Sequence, residues 1–409
     1  MSDTSSETVQ RVAFSKVAAS VIDGFDKVIY PDWETLFRSF NNQLSERMLV
    51  CLDEFPYLVK SCDVLPSIIQ KLLNEKILKF DLVLCGSSQQ LMHGYVLNRQ
   101  SPLYGLANEI MKMQPIPAQY MSMAMECDAV QAVEEYAIWG GVPRYWELRR
   151  DYPDKETAIR KVLLDPQGPL TEEPQRLLHD DMRDTVQAST LLTIIGNGAN
   201  KLSEIANRAG KDSSTISEPL SKLRELGYVS REVPFGESPK KSKKGIYHIN
   251  DSLLRFHYQF IVPYRSILEL GRMDIVMQVV LSQLPQFIGQ CWELLCREYV
   301  SGNIIDGIAY NVASRWWGKI FPPEYKDDKM VELDVVAESI DKKHILVGEC
   351  KWTHDEDADR LMDVLEQKAK NLPFIKKGQE VHLVLFLKES PTHCAKDMRV
   401  FLPSDVMKV

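Results

Sequence analysis

The segment from Val331 to Trp352, VELDVVAESIDKKHILVGECKW, constrains the fold of this chain more than any other stretch. Its two halves alternate apolar and polar residues, a pattern typical of half-buried β-strands, and the polar SIDKKH supplies a turn between them. Side chains two residues apart on a strand point to the same face of the sheet. The pattern therefore predicts two adjacent strands, with Glu332, Asp334 and Val336 on one face of the first strand.

Charged residues interrupt the apolar pattern near one end of this strand pair. On the second strand, Glu349 and Lys351 would share a face, and pairing of the strands would bring Asp334 close to both. Two neighbouring carboxylates offer the hard oxygen ligands that Mg²⁺ or Mn²⁺ prefers. A lysine beside the metal would orient water or neutralise charge on a phosphate. The alternative interpretation is a pair of surface strands with ordinary charges.

A helix before these strands, FIGQCWELLCREYV, offers a further carboxylate. Glu293 and Glu298 are roughly 140° apart around a helix, so only one of them can face a single site. We select Glu293, because it lies closer to the apolar stripe. RWWGK follows, and its tryptophans favour a core edge of the sheet over stacking with nucleic acid. EVHLVLFLKES is predicted as a further strand.

The composition is that of a globular protein with two or three domains. The chain has 409 residues, 44% of them hydrophobic, and no apolar run of the ~18 residues that a membrane span needs. The polar start MSDTSSETVQ lacks the pattern of a signal peptide. Eight cysteines occur without a CxxC pair, and Cys51, Cys85 and Cys350 lie in apolar runs, which predicts reduced core thiols in a cytoplasmic protein. The net charge of −8 argues against non-specific coating of nucleic acid, although a local basic patch would still bind it.

Two strand patterns near the N-terminus end in residues suited to a nucleotide site. RMLVCLDEF ends in Asp53 and Glu54, the form of a Walker B strand, and FDLVLCGSS ends in Ser87 and Ser88. The apolar spacing of LPSIIQKLLNEKIL between them predicts a helix, hence a parallel sheet with a ligand at the carboxyl ends of its strands. The alternative is a buried strand that meets a polar turn.

The middle of the chain has the pattern of a winged helix-turn-helix. KLSEIANRAG predicts a short helix that ends at Gly210, STISEPLSKLRELG predicts a second helix, and VSREVPF and GIYHIN predict a hairpin. In a DNA-binding interpretation the second helix enters the major groove and the hairpin lysines contact phosphates. A protein-binding or regulatory module is the alternative. The predicted DNA contacts are Ser214, Thr215, Ser217, Lys222, Arg224, Lys241, Lys243 and Lys244.

Motifs along nearly the whole chain carry a family resemblance. YPDWETLFRSF, LVCLDEFPYLV, LVLCGSSQQLMHG, SPLYG and WGGVPRYWE resemble the archaeal-type ATPases, which are AAA-related, STAND-like P-loop ATPases. ELDVVA with GECKW resembles the PD-(D/E)xK nuclease superfamily, and such a domain often ends these ATPases. The resemblance implies ATP binding and places Asp53 and Glu54 in Walker B, with Ser87 and Ser88 at the sensor strand.

The chain departs from the family pattern at two places. It contains no GxxxxGK[ST] motif, the loop that cradles nucleotide phosphates, so we expect the Walker A portion to be absent. Leu106 in SPLYGL stands where the family has an arginine that contacts nucleotide phosphates. Both departures predict weak or absent ATP hydrolysis.

The sequence thus predicts a multidomain α/β protein with four parts. These are a truncated P-loop-type ATPase core (1–125), a helical lid and linker (126–180), a winged helix-turn-helix (181–275) and a restriction-endonuclease-like α/β domain (276–409). The first functional hypothesis is a Mg²⁺-dependent phosphodiesterase on nucleic acid, DNA above all. The alternative is a nucleotide-responsive regulator that binds DNA or protein without cleavage. A protein partner or a homo-oligomer stays open under both.

Overall fold

The fold is given by a computed structural model, in which the chain divides into two compact units. The first unit contains residues 5–113 and 179–182, and the second contains residues 114–178 and the chain from 184 onward. Within the described ranges, no helix combines the length and the apolar character needed to cross a membrane. The structure describes residues 5–182, 184–320, 329–370, 372–391, 393 and 398–408.

The first and last parts of the chain contain both helices and strands, whereas helices predominate in the middle. The first 113 residues contain α1 (Glu7–Ala18), α2 (Trp33–Gln43), β1 (Met48–Leu52), α3 (Phe55–Ser61), α4 (Leu65–Glu75), β2 (Phe80–Leu84) and α5 (Gln89–Met92). Residues 114–269 contain α6 (Met121–Met125), α7 (Ala129–Trp139), α8 (Pro143–Arg150), α9 (Lys155–Ala158), α10 (Glu173–Asp181), α11 (Thr185–Gly196), α12 (Leu202–Ala209), α13 (Ser213–Glu225), β3 (Val229–Glu232), β4 (Ile246–Ile249), α14 (Ser252–Phe256) and α15 (Arg265–Glu269). The remainder contains α16 (Met273–Val300), β5 (Ile304–Ile305), β6 (Ile308–Ala309), β7 (Ser314–Ile320), β8 (Lys329–Glu338), β9 (His344–Lys351), α17 (Ala358–Ala369), β10 (Glu380–Leu387), β11 (Arg399–Phe401) and α18 (Pro403–Val406).

In the first unit, β1 and β2 pair in parallel, which confirms the prediction from the strand–helix–strand pattern. The sheet buries only one of its faces: Leu52 is buried, whereas Leu49 and Cys51 are exposed. The prediction of Cys51 as a core thiol is therefore wrong. Cys85 is half-buried, and Cys350 in the other unit is buried as predicted.

In the second unit, the elements of the predicted winged helix follow one another in the expected order. α12 ends at Gly210, whose φ of +62° is the left-handed conformation of a helix C-cap. α13 buries Ile216, Leu220 and Leu223, and β3 and β4 form an antiparallel hairpin. The helices and the hairpin thus confirm the local predictions, while a role for this region in DNA binding stays a prediction.

The C-terminal sheet has five strands in the order β11-β10-β9-β8-β7. β10 lies parallel to β9 and β11, while β8 runs antiparallel to β9 and β7. Leu346 packs in one core cluster with Trp292 of α16, on what we call the α16 face. Val347 packs with Leu365 of α17 on the opposite side, the α17 face. The sheet is therefore covered on both faces, which explains why its strands are rich in apolar residues.

β7 is the RWWGK segment, and it forms an edge strand paired to β8. Trp316 is buried, and its ring centroid lies 5.5 Å from that of Phe374. The interpretation of this segment as a core edge is thereby confirmed for Trp316.

β8 carries a bulge that the sequence pattern did not reveal. Trp316 pairs with Leu333 and Ser314 pairs with Val336, so that two steps along β7 match three steps along β8. Leu333 and Val336 consequently lie in the same core cluster on the α17 face, although three residues apart. The predicted alternation that placed Glu332 and Val336 on one face is therefore wrong. A bulge re-aims the side chains next to it, here Asp334.

Candidate functional site

Asp334 and Glu349 meet where β8 and β9 part. The ladder between these strands ends with Val335 opposite Gly348, and one further step sets Asp334 opposite Glu349. Oδ2 of Asp334 accepts a hydrogen bond of 2.9 Å from the backbone N–H of Cys350. The carboxylate thus continues the ladder in place of a backbone carbonyl. Burial, followed by the charge of Glu349, raises the pKa of Asp334, against the opposing effect of this hydrogen bond.

Two lysines hold the other carboxylate of the pair. Nζ of Lys351 lies 3.0 Å from Oε1 of Glu349, as the shared face of β9 predicts. Nζ of Lys368, on α17, lies 2.8 Å from Oε2 of the same carboxylate. Burial opposes the charge of Lys351, but the charge of Glu349 outweighs it, so that the pKa of Lys351 is raised. Lys351 therefore stays cationic at neutral pH.

Glu293 approaches the same place from α16. Burial, followed by the charge of Asp334, raises the pKa of Glu293 to about 7. Glu298, the alternative on this helix, is exposed, as expected for a residue roughly 140° away. The structure therefore brings Asp334, Glu349 and Lys351 together, and it places Glu293 near enough to Asp334 for their charges to interact.

Two arginines lie beside Glu293. The guanidinium Nη2 of Arg315 lies 3.8 Å from Oε2 of Glu293 and also pairs with Glu332. Arg297 donates to the backbone carbonyl of Asp334 at 3.1 Å, and its Nη1 is 3.9 Å from Glu293. These cations oppose the rise in the pKa of Glu293 without cancelling it.

The β3–β4 hairpin adds one more acid to this network. Oε1 of Glu232 lies 3.6 Å from Nη2 of Arg297, and its Oε2 lies 3.4 Å from Nε2 of His248 without the alignment of a hydrogen bond. Burial opposes ionisation of Glu232, but His248 and the arginines outweigh it and lower its pKa to about 2. Sequence reasoning missed Glu232 and Lys368, because no local pattern links them to the strands that they contact.

Gly348 directly precedes Glu349 on β9, and the residues packed around it leave no room for a larger side chain. A Cβ added there would lie 3.1 Å from side-chain atoms of Phe386 and Val384, tighter than normal contacts. We expect Gly348→Ala to lower the free energy of unfolding by about 1–3 kcal/mol through overpacking. Gly289, in the middle of α16, is the matched control, because a Cβ there meets only Trp352 at 3.7 Å.

Gly289→Ala should instead stabilise the protein by about 0.5–1 kcal/mol, since alanine is the better helix former. Urea denaturation of both variants measures whether each substitution raises or lowers the free energy of unfolding. A Gly348→Ala protein as stable as wild type would contradict the packing described for β8, β9 and β10.

The nucleotide-site candidates lie in the first unit, at the carboxyl ends of the parallel strands. Asp53 and Glu54 follow β1, and Glu54 has a left-handed backbone with φ of +53°. Oγ of Ser87 lies 3.2 Å from Oε2 of Glu54, so the structure joins these two. Ser88 is buried, and its hydroxyl donates to Asp181 at 2.9 Å, so it does not face the same open edge.

The predicted DNA contacts fall on two exposed surfaces of the second unit. Ser217 donates to the backbone carbonyl of Ser213, and Lys222 is half-buried beside Glu225. Lys244 pairs with Glu237 at 2.7 Å, which offsets part of the positive charge of the hairpin. The exposed members of the set are Ser214, Thr215, Ser217 and Arg224 on α13, and Lys241, Lys243 and Lys244 on the hairpin.

Sequence comparison links this chain to proteins without a described activity. Residues 257–369, which include α16 and the strands bearing Asp334 and Glu349, match the family DUF234, described as archaea bacterial proteins of unknown function. The uncharacterized protein MJECL04 of Methanocaldococcus jannaschii is 28% identical over 351 residues, which are 83% of this chain and 74% of that protein.

Structural comparison finds weaker similarities. The Walker-type ATPase Paby2304 of Pyrococcus abyssi aligns with 60% of this chain and 75% of its own, at 17% identity and a TM-score of 0.44. Protein VC1899 from Vibrio cholerae aligns over 90% of both chains, at 14% identity and a TM-score of 0.22.

Proposed function

We propose that this protein is a metal-dependent phosphodiesterase that cleaves nucleic acid, with Asp334 and Glu349 as ligands of Mg²⁺ or Mn²⁺. The observation that supports this most is the desolvated carboxylate pair across β8 and β9, in which the charge of Glu349 raises the pKa of Asp334. Two like charges held together in a partly buried site are costly, and a divalent cation between them would relieve that cost.

The donor set fits Mg²⁺. Both groups are carboxylates, the ligand type that Mg²⁺ prefers, and both are fixed on strands rather than loops. Cys350 N–H holds Oδ2 of Asp334, so that Asp334 would bind a cation through Oδ1. For Glu349 to bind the metal, Lys351 or Lys368 would have to release its contact with one carboxylate oxygen. Both lysines would remain close enough to contact a phosphate.

The side chains around the pair suit phosphodiester hydrolysis. A bound Mg²⁺ would polarise a phosphate oxygen and lower the pKa of a coordinated water. Lys351, cationic and 3.0 Å from Glu349, would neutralise charge that develops on the phosphate or orient the water. Glu293, with a pKa near 7, would accept or release a proton near neutral pH, or serve as an auxiliary ligand.

The proposal extends to the binding of nucleic acid and of a nucleotide. The exposed residues of α13 and the hairpin lysines would bind DNA through phosphate contacts. In the first unit, Asp53, Glu54 and Ser87 would bind a nucleotide, with weak or absent hydrolysis because the chain has no GxxxxGK[ST] motif. ATP is the nucleotide that the family resemblance implies.

The test is cleavage of plasmid and single-stranded DNA in Mg²⁺, in Mn²⁺ and in EDTA. Wild type should cleave only with a metal, and Asp334→Asn and Lys351→Ala should each lose at least tenfold in rate. Asn at position 334 can still accept the Cys350 N–H, so the strands should stay paired. Two exposed residues of the same sheet-and-helix region, away from the carboxylate pair, serve as controls that retain activity, Asp363→Asn and Lys343→Ala. Equal cleavage by all variants, or none by wild type, would rule out the enzyme.

One observation favours a second candidate, a regulator that binds DNA or protein without cleavage. Lys351 and Lys368 already engage both oxygens of Glu349. In that case the charged residues form a structural network that needs no metal. Mg²⁺ would then leave the thermal stability of wild type unchanged, whereas the enzyme proposal expects Mg²⁺ to raise the melting temperature of wild type but not of Asp334→Asn.

A further inference from the structure

A second cluster of potential ligands lies at the opposite end of β9. His344 begins β9, and Glu380 begins the neighbouring β10 as its direct partner in the parallel register. His382 follows two residues later on β10 and therefore shares a face with Glu380. The three side chains thus converge because of sheet geometry. His344 is five residues from Glu349, roughly 17 Å along a strand, so this cluster is separate from the site already described.

The ligand atoms of these three side chains stand at distances that suit one ion. Nδ1 of His344 lies 3.0 Å from Nε2 of His382 and 3.4 Å from Oε2 of Glu380. Nε2 of His382 lies 4.0 Å from the same carboxylate oxygen. Two ligands bound tetrahedrally to Zn²⁺ at about 2.05 Å are about 3.3 Å apart. The three distances bracket this value, so small side-chain rotations would place all three atoms around one ion.

The backbone that carries the cluster is fixed. The hydroxyl of Ser339, a buried residue, accepts the backbone N–H of His344 at 3.0 Å and donates to Asp341. The backbone N–H of Glu380 donates to the carbonyl of Lys343 at 2.8 Å. Ligands that project from anchored strands lose little conformational entropy when they bind a metal.

We propose that His344, Glu380 and His382 form a binding site for Zn²⁺ that joins the starts of β9 and β10. Two imidazoles and one carboxylate are a typical ligand set for zinc with an open fourth position, and imidazole disfavours Mg²⁺. The side chain of Glu380 is 68% exposed, which leaves the fourth position to water. The proposal does not depend on cleavage activity at Asp334 and Glu349.

The test is direct titration of the full-length protein, stripped of metal with EDTA, with Zn²⁺ against a chromophoric chelator. Wild type should bind one equivalent through the cluster, and His382→Gln should weaken that binding at least tenfold. His354→Gln is the matched control, because His354 is an exposed histidine paired with a single carboxylate, Glu389, at 2.9 Å. It should bind Zn²⁺ as wild type does.

Two further variants test whether zinc binds instead at two other groups of potential ligands. Asp334→Asn removes the carboxylate pair, and Cys51→Ser removes one of two thiols whose sulfur atoms lie 3.4 Å apart, that of Cys85 being the other. Both variants should still bind the one equivalent of Zn²⁺ whose binding His382→Gln weakens. In thermal melts, Zn²⁺ should raise the melting temperature of wild type and of His354→Gln but not of His382→Gln. Absence of stoichiometric binding to wild type, or equal binding by His382→Gln, would overturn the proposal.

Discussion

Replacing Glu293 by glutamine should stabilise the protein at pH 8 and leave its stability unchanged at pH 4.5. Burial and the charge of Asp334 raise the pKa of Glu293 from 4.5 to about 7 in the folded state. The stability that the protonated carboxyl provides is complete below the unfolded-state pKa and is lost as pH rises through the folded-state pKa. Wild type should therefore lose about 2–3 kcal/mol relative to Glu293→Gln between these limits.

Urea denaturation of wild type and Glu293→Gln at pH 4.5, 6, 7 and 8 measures this effect. Asp363→Asn, an exposed acid on α17, should show no such pH-dependent difference from wild type. If the gap between wild type and Glu293→Gln is the same at every pH, the carboxyl of Glu293 is not desolvated beside Asp334.

Trp292→Ala should lower the free energy of unfolding by about 3–5 kcal/mol, the range for removal of a fully buried tryptophan. Trp292 has no exposed surface, and its indole N–H donates to the carbonyl of Phe386 at 3.2 Å. Its ring centroid lies 5.2 Å from that of Trp352. The side chain thereby fixes α16 on β10, one residue before Glu293. Chemical denaturation at pH 4.5, where Glu293 is protonated in the folded protein, keeps its ionisation from adding to the packing effect.

Two variants separate the contributions at this position. Trp292→Phe keeps most of the packing but loses the hydrogen bond, and should cost about 1 kcal/mol beyond the lost ring volume. Leu294→Ala, on the same helix with 40% of its surface exposed, should cost no more than about 0.5 kcal/mol. A loss at Trp292→Ala no larger than that at Leu294→Ala would contradict the packing of α16 on the sheet.

The strands of the site could be predicted from sequence because their pattern is local. Alternation of apolar and polar residues identified β8 and β9, and the charged residues that break it were Asp334, Glu349 and Lys351. The choice of Glu293 over Glu298 followed from helix geometry alone. For Glu293, Glu349 and Lys351, spacing along one element fixes the direction of the side chain, whereas the bulge re-aims Asp334.

The parts that failed depend on contacts between distant segments. The bulge in β8 arises from its pairing with β7, and a strict alternation cannot show an extra residue. Cys51 is exposed because the two-stranded sheet leaves one face uncovered, whereas an apolar run alone predicts burial. Lys368 and Glu232 reach the site from α17 and β3, and only tertiary packing brings them there.

The attachment of the β3–β4 hairpin to the C-terminal sheet has a consequence for communication across the second unit. Phe235 donates its backbone N–H to the carbonyl of Arg315 at 2.8 Å, and its ring packs 5.1 Å from that of Phe374. A ligand that pulls the hairpin away would break these contacts and withdraw Glu232 from Arg297. Arg297 and Arg315 would then interact more strongly with Glu293 and lower its pKa. Binding of a ligand to the hairpin would thus change the protonation of Glu293, which is an allosteric effect.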